Sequence, residues 1–567
     1  VFNSSKSFTK IFPESSLLIV IGLIIGYFLM ISKVDHEQFT LDSHAFFLYL
    51  LPPIIFEAGY FMPNRAFFQN WDSILLFSVV GTVFNTITIG TLVVDSYSSL
   101  FFSLLAVLFF ILLFSSLISA VDPVAVIAVF QEIHVNDFIF VNVFGEALFN
   151  DGVTVVLYEL FKQFLTIERI TYIDVAAGSA AFIVVAVGGL LIGLLFAILV
   201  SLLTKYSIHM IVLSPVFIFL VPYLGYLTAE MLSLSPIIAI AVCGMAMKQY
   251  VKGNVSTTAA NSVKYFTKML SQMSETAIFM FLGLSTISSQ HLWDTAFVVS
   301  TIALCIVCRT VGVIVQCLFL NRFRGKKFTT VDQFILSYGG LRGAIAYGLA
   351  VSMPLSINAK PMFVTTTIAV IFFTVFLQGS TIRPLVRFLN IETKKERELT
   401  MAESVYMKYM DYLVSGVEDI AGQKGYNSLL HEFERFNTKI LCPVLMRDHA
   451  KTRHFDATKI IRAYAKITLA EAMNTTSLPR YSQDSSVLYR IPFSRSTSTS
   501  SKTSYGVHLA ACPLSPTNTQ LLFNLFSKML DEKMDKLRKE LQGPREEEKD
   551  DLCDDYIQQI HSIDNLK

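Results

Sequence analysis

The sequence predicts an all-α polytopic membrane protein with two interrupted helices, one in each half, followed by a cytosolic tail that is part helical and part disordered. Three observations predict it. Of the 567 residues, 53% are hydrophobic and 16% charged, with a mean hydropathy of +0.55, whereas soluble domains carry about a quarter charged residues. Charges are sparse up to about Asn390 and dense beyond it, which divides the chain there. Apolar runs near the ~20 residues a bilayer requires recur before that step, and two of them hold a proline or a glycine cluster beside a charge. The regions expected are a transmembrane domain over 1–390, a juxtamembrane helical region over 391–475 and a largely disordered tail over 476–567, with a short charged helix near 521–542.

The runs cover 13–32, 43–62, 71–95, 106–131, 137–164, 172–203, 209–229, 231–250, 261–288, 291–318, 328–353 and 361–388, about 12 in all. If Val1 lies on side one, the loops of that side hold Arg65, Lys205, Lys248, Lys252, Lys264, Lys268, Arg322, Arg324, Lys326 and Lys327. The opposite loops hold Lys33, Lys162, Arg169 and Lys360. The positive-inside rule makes side one the cytoplasm. An even number of spans then puts the tail there too. Asn3, Asn254 and Asn474 match the glycosylation pattern but lie on that inner side. Cys305 and Cys308 form a C-x-x-C within an apolar run, with no companion His or Cys pair, and read as small membrane residues.

In the tail, Tyr406, Met410, Leu413, Val414, Val417 and Ile420 share one helical face, as do Leu429, Phe433, Phe436 and Ile440 in the next segment. Residues 477–520 are rich in Ser, Thr and Pro and read as disordered.

Charges inside membrane spans are costly and mark functional sites by default. Glu57, Asp122, Glu146, Asp151, Glu275, Arg309 and Arg342 are such charges. Any one of them is as readily a structural ion pair, but the set as a whole is not. Asp122-Pro123 places an acid beside a residue that removes a backbone donor and breaks the helix. Glu146 and Asp151 lie in one span, five residues and so about 140° apart, which aims them at different surroundings. A carboxylate holds a cation or a proton in turn, and Asp151, beside Asn150, is the first choice for that competition. Gly339, Gly340 and Gly343 around Arg342 predict a second interruption. One interrupted span in each half is the pointer to an inverted-repeat transporter with its site at the midplane. The acidic first break and basic second break suit the partial charges of half-helix ends.

Leu51-Pro52-Pro53, Ala58-Gly59-Tyr60-Phe61, Ala120-Val121-Asp122-Pro123-Val124-Ala125, Phe144-Gly145-Glu146, Asn150-Asp151, Ser274-Glu275 and Gly339-Gly340-Leu341-Arg342-Gly343-Ala344-Ile345-Ala346 together resemble the animal sodium/proton exchangers of the cation/proton antiporter superfamily. The likeness runs to about residue 475. Through Tyr60-Phe61-Met62-Pro63-Asn64-Arg65 it extends to the plasma-membrane branch with brush-border epithelial members. The resemblance implies an inverted-repeat antiporter fold with two broken crossing helices, thirteen spans per protomer and a homodimer. The family's first helix precedes a segment like Val1–Lys10, so one span is expected to be missing here. It implies electroneutral exchange of extracellular sodium for intracellular protons by alternating access, which regulates intracellular pH, sodium uptake and cell volume.

The same resemblance makes Asp151 the carboxylate for transported sodium or proton, with Asn150 beside it and Asp122 at the helix crossing. Arg309 becomes a site-region cation able to pair with Glu146, supported by Pro123, Glu57, Glu275 and Arg342. It implies a calcineurin-homologous EF-hand protein on the Tyr406–Ile420 helix. Further expectations are phosphoinositide lipid on Arg383, Arg387, Lys394, Lys395 and Arg397, and kinases acting on the tail. The location implied is the plasma membrane, with apical epithelial membrane or recycling endosome as alternatives. The cargo is sodium, or lithium, and protons, with no cofactor and no nucleic-acid partner. The sequence departs from the family at Glu57 (usually Asp), Gln131 (Glu), Ala147 (Ser), Phe149 (Leu) and Gly152 (Ala).

Other classes fit less well. The sequence has no filter motif or charged repeat for a channel, and no nucleotide loop, metal cluster or nucleophile constellation for an enzyme. Paired breaks suit a proton-coupled carrier of organic solutes, but the specific motifs do not favour one.

Overall fold

The structure is a computed structural model. It describes residues 13–447 except 33–40, 98–103, 123, 134, 166, 168–170, 208–213, 288–290, 325, 355, 356, 358, 390–400, 423 and 424. The expectations for Val1–Lys10, Pro123, Lys394, Lys395, Arg397, 448–475 and the tail over 476–567, with its charged helix, lie outside the described residues.

Every described element is a helix. In chain order they are α1 (Glu14–Ile31), α2 (Ser43–Phe61), α3 (Asn64–Gln69), α4 (Trp71–Val93), α5 (Leu104–Ile118), α6 (Val124–Ile133), α7 (Asp137–Phe164), α8 (Tyr172–Tyr206) and α9 (Ser214–Met231). Then follow α10 (Pro236–Asn254), α11 (Thr257–Ser285), α12 (Thr295–Phe323), α13 (Thr330–Tyr338), α14 (Ala344–Val351), α15 (Lys360–Phe388), α16 (Met401–Ile420), α17 (Tyr426–Phe436) and α18 (Cys442–Leu445). Seven of the described helices, α1, α2, α4, α7, α8, α12 and α15, are long and apolar enough to cross a membrane. The remaining apolar runs read from the sequence fall on α9, α10, α11 and the half-helices α5–α6 and α13–α14. Lys248 and Lys252 on α10, and Lys264, Lys268 and Glu275 on α11, lower the apolarity of those two.

Side-chain caps mark where helices begin. The Asn136 carboxamide accepts from Phe138 N at the start of α7, and Asp294 does the same for α12. Thr171 with Asp174, and Thr329 with Asp332, form capping boxes before α8 and α13. Such caps satisfy N–H groups that helix geometry leaves without partners.

The helices pack in two groups. In one, α8 and α9 lie on α10, α10 on α2, and α11 on α1 and α2. In the other, α4 packs on α5 and α12, α7 on α5, and α12 on α13 and α15. Lipid offers no hydrophobic driving force between helices, so close backbone approach supplies the contact. At the α2–α10 crossing a Cβ on Gly59 would stand 2.6 Å from Ala241 O. Only glycine admits that approach.

The tail helices dock by polar contacts. Asp411 of α16 accepts from Arg65 at 2.6 Å. Tyr412 meets His431 of α17 edge-on, centroids 5.1 Å apart, and Glu418 accepts from Ser428 N at 2.8 Å. Beyond α17 the chain seats on the ends of α8 and α10. Lys205 Nζ donates to Pro443 O and Val444 O at 2.9 and 2.7 Å. Arg447 donates to Lys205 O and Thr204 O at 2.7 and 3.2 Å, partnering carbonyls at the α8 C-terminus. Asn254 donates to Leu445 O and accepts from Arg447 N, at 2.8 and 3.0 Å. Cys442, Leu445 and Met446 are buried there beside Tyr250.

Candidate functional site

Both predicted interruptions are present, and they are joined. α5 ends at Ile118 and α6 begins at Val124, while α13 ends at Tyr338 and α14 begins at Ala344. In the gap, Asp122 N donates to Leu341 O at 2.7 Å, one break's backbone bonding the other's. Arg342, 2% exposed, donates to Ala120 O at 3.0 Å, so its charge faces the carbonyl end of α5. Thr374 of α15 braces this loop: its hydroxyl accepts from Arg342 N at 3.2 Å and lies 3.3 Å from Arg342 O. A Cβ on Gly343 would overlap the Asp122 side chain. Glycine there lets the carboxyl lie against the start of α14 and close to that of α6. Broken backbone is tolerated at membrane depth only where such partners exist.

α7 brings the remaining residues to this crossing. Asn150, 1% exposed, donates to Ser119 O at 3.4 Å and accepts from Thr154 at 3.0 Å. Asp151 is 7% exposed, with no hydrogen-bond partner among the described residues, and the Asp122 charge acts on it. Glu146, one and a half turns earlier, looks elsewhere, as the 140° offset requires. The Arg309 guanidinium of α12 forks onto its carboxylate: one terminal nitrogen reaches Oε1 in a short contact, the other Oε2 at 2.9 Å. The second nitrogen also donates to Leu336 O of α13 at 3.0 Å. Glu146 and Arg309 are 2% and 5% exposed, so the pair is buried and ties three helices together.

Glu57 and Glu275 do not join Asp151. Glu57 on α2 bonds Ser271 and feels Lys268, both on α11. Glu275, also on α11, lies within electrostatic reach of Asp122, Glu14 and Glu57. Acids of α1, α2 and α11 thus lead toward the crossing. Among the described residues no group of three or more His, Cys, Asp or Glu gathers as a resident metal site.

Three supporting residues escaped sequence reasoning: Thr154, Thr374 and Phe67. Thr154 is one turn beyond Asn150 and was readable from spacing. Thr374 and Phe67 have no local signal, because only the tertiary fold brings them in. Two departures gain a packing context. A Cβ on Gly152 would stand 2.8 Å from Ile238 of α10, and Phe149 stacks on Phe67 with centroids 5.6 Å apart.

A buried carboxylate beside two crossed, interrupted helices defines the class, a membrane transporter of the inverted-repeat antiporter architecture. The fold matches the sodium/proton antiporter MjNhaP1 of Methanocaldococcus jannaschii, with a TM-score of 0.53 at 18% identity, over 67% of this chain and 93% of that one. The family profile described as sodium/hydrogen exchanger, transmembrane, matches residues 3–388. Among curated relatives, the probable Na(+)/H(+) antiporter nhx-3 of Caenorhabditis elegans is 57% identical over 100% of this chain and 84% of its own length. The sodium/hydrogen exchanger 3 of Homo sapiens is 45% identical over 83% of this chain and 57% of its own length. The chain belongs to the sodium/hydrogen exchanger family.

Proposed function

We propose that this chain is a sodium/proton antiporter in which Asp151 holds sodium and proton alternately. The observation that carries the reading is a carboxylate buried in mid-helix, without a hydrogen bond from the described residues, beside the junction of two broken helices. An unpaired charge at such depth is costly, so the carboxylate takes up one cation or the other. A single carboxylate is neutralised by one monovalent cation at a time, sodium or proton, which makes the exchange one-for-one and therefore electroneutral. Asn150, fixed by Ser119 and Thr154, presents its neutral amide beside it and adds no second charge. Asp122 offers its field from the crossing. Access alternates as the group containing α5, α7 and α12 moves against the group containing α2, α8 and α10. The direct test uses proteoliposomes, in which a sodium gradient drives proton movement without net current and Asp151→Asn abolishes it. Sustained flux in that variant, or a current that tracks flux, overturns the reading.

The same reading extends to a homodimer in the plasma membrane, apical epithelial membrane or recycling endosome, with the tail in the cytoplasm and the cell's pH, sodium uptake and volume as its outputs. The loop-charge asymmetry supports the orientation. Tyr406, Met410, Leu413, Val414, Val417 and Ile420 are all exposed. That uncovered apolar stripe supports a helix-in-groove partner of the calcineurin-homologous EF-hand type. Arg383 and Arg387, at the inner end of α15, suit an anionic lipid such as phosphoinositide, and the tail remains the place where kinases would act.

A further inference from the structure

The short helix α3 is a meeting point. Asn64 donates to Met245 O of α10 at 2.9 Å. Arg65 donates to Asp411 of tail helix α16 at 2.6 Å. Phe67, 7% exposed, lies face to face with Phe149 of α7, planes 24° apart. Gln69 O and the Asn70 carboxamide accept from Arg324, just past the end of α12, at 3.4 and 2.8 Å. Seven consecutive residues therefore touch one helix group, the tail, the Asp151 helix and a second helix of the moving group. Phe149 directly precedes Asn150-Asp151.

We propose that α3 is a relay through which the position of tail helix α16 sets the working of the ion site, with Phe67 as a positioning residue for Asp151. The inference rests on the antiport reading given above. Backbone geometry equips α3 for the task. Met62 before it and Asn70 after it both leave helical angles, so the helix is flanked by two bends. The tail is placed to drive it. α17 grips α16 through His431 and Ser428, and the chain beyond it is pinned to α8 and α10 by Lys205, Asn254 and Arg447. With that end fixed, a partner that covers the apolar stripe and moves α16 displaces Asp411. Arg65 follows Asp411, and Phe67 moves with it. Close-packed rings do not deform continuously, so a shift of Phe67 obliges Phe149 to move or unstack.

The test is a charge exchange read by transport kinetics of the full chain in proteoliposomes. Exposed ion pairs couple by about two- to fivefold. Arg65→Asp and Asp411→Arg are therefore each expected to shift half-saturating sodium or maximal rate by about that factor, and the double exchange to restore the parent values. Adding Asp411→Arg to Phe67→Ala is expected to change nothing further, since the relay is already cut. If a reversal variant fails to run as a folded peak on size exclusion, Arg65→Gln and Asp411→Asn replace it, and their double variant is expected to equal either single. Folded singles with parent kinetics, a reciprocal exchange that does not restore them, or additive effects of Phe67 and Asp411 overturn the proposal. Asp151→Asn, run in parallel, reports separately on the ion site.

Discussion

Replacing Arg309 by alanine strands Glu146, a carboxylate 2% exposed that takes both terminal guanidinium nitrogens. It also removes the donor to Leu336 O in the last turn of α13. Breaking a buried ion pair from one side costs about 3–5 kcal/mol, because the surviving charge keeps its desolvation penalty. At roughly 1 °C per kcal/mol for a chain of this size, the unfolding temperature in detergent is expected to fall by about 3–5 °C. Lysine restores the charge without the fork and is expected to recover only part of the loss. Glu146→Gln combined with Arg309→Ala is expected to be more stable than Arg309→Ala alone, since no charge is stranded. A scanning fluorescence melt of purified protein reads all three. If Arg309→Ala melts with the parent, or the double variant melts no higher than the single, the pair is not holding α7, α12 and α13 together.

Gly343→Ala forces a methyl into the Asp122 carboxyl and is expected to abolish exchange in vesicles, while Gly416→Ala, which meets nothing within 4 Å, leaves it intact. Asn254→Ala removes bonds to Leu445 O and Arg447 N, so amide hydrogen exchange over 442–447 is expected to speed up severalfold; unchanged protection there would show that the seat does not depend on it. Changing Leu413, Val414 and Val417 to Gln is expected to lose a co-purifying EF-hand protein by several orders of magnitude in affinity, at about 1.5–3 kcal/mol per aliphatic side chain, without altering half-saturating sodium by the same factor. Retention of the partner would show that the stripe is not its docking face.

The two breaks were legible because each couples a charge to a local helix-weakening signal inside an apolar run, Asp122 before a proline and Arg342 within the Gly339–Gly343 cluster; proline alone is no such signal, since Pro222 and Pro384 stay inside helices. The divergence of Glu146 and Asp151 followed from helix geometry alone. Charged residues within apolar runs marked Asp122, Arg309 and Arg342 as needing partners, but only the resemblance suggested Glu146 for Arg309. What the sequence withheld was the third dimension. The bond from Asp122 N to Leu341 O spans 219 positions and leaves no trace in side-chain type, since backbone makes it. Thr374, Phe67 and the seat of 437–447 on α8 and α10 share that origin. The helices α10 and α11, by contrast, were legible as the runs 231–250 and 261–288 despite the charges they carry.

The seam between the two helix groups has a grain. Gly152 of α7 faces Ile237 and Ile238 of α10, with a missing side chain on one surface and branched carbons on the other. For a cycle in which one surface slips past the other, the smooth side lies next to Asp151, the proposed ion-binding residue, and the rough side stays on the support. A methyl at 152 would act as a detent, a notch the slide must climb over on every stroke. Its mark would be a steeper temperature dependence of turnover at unchanged half-saturating sodium, which separates the friction of the machine from its grip on the ion.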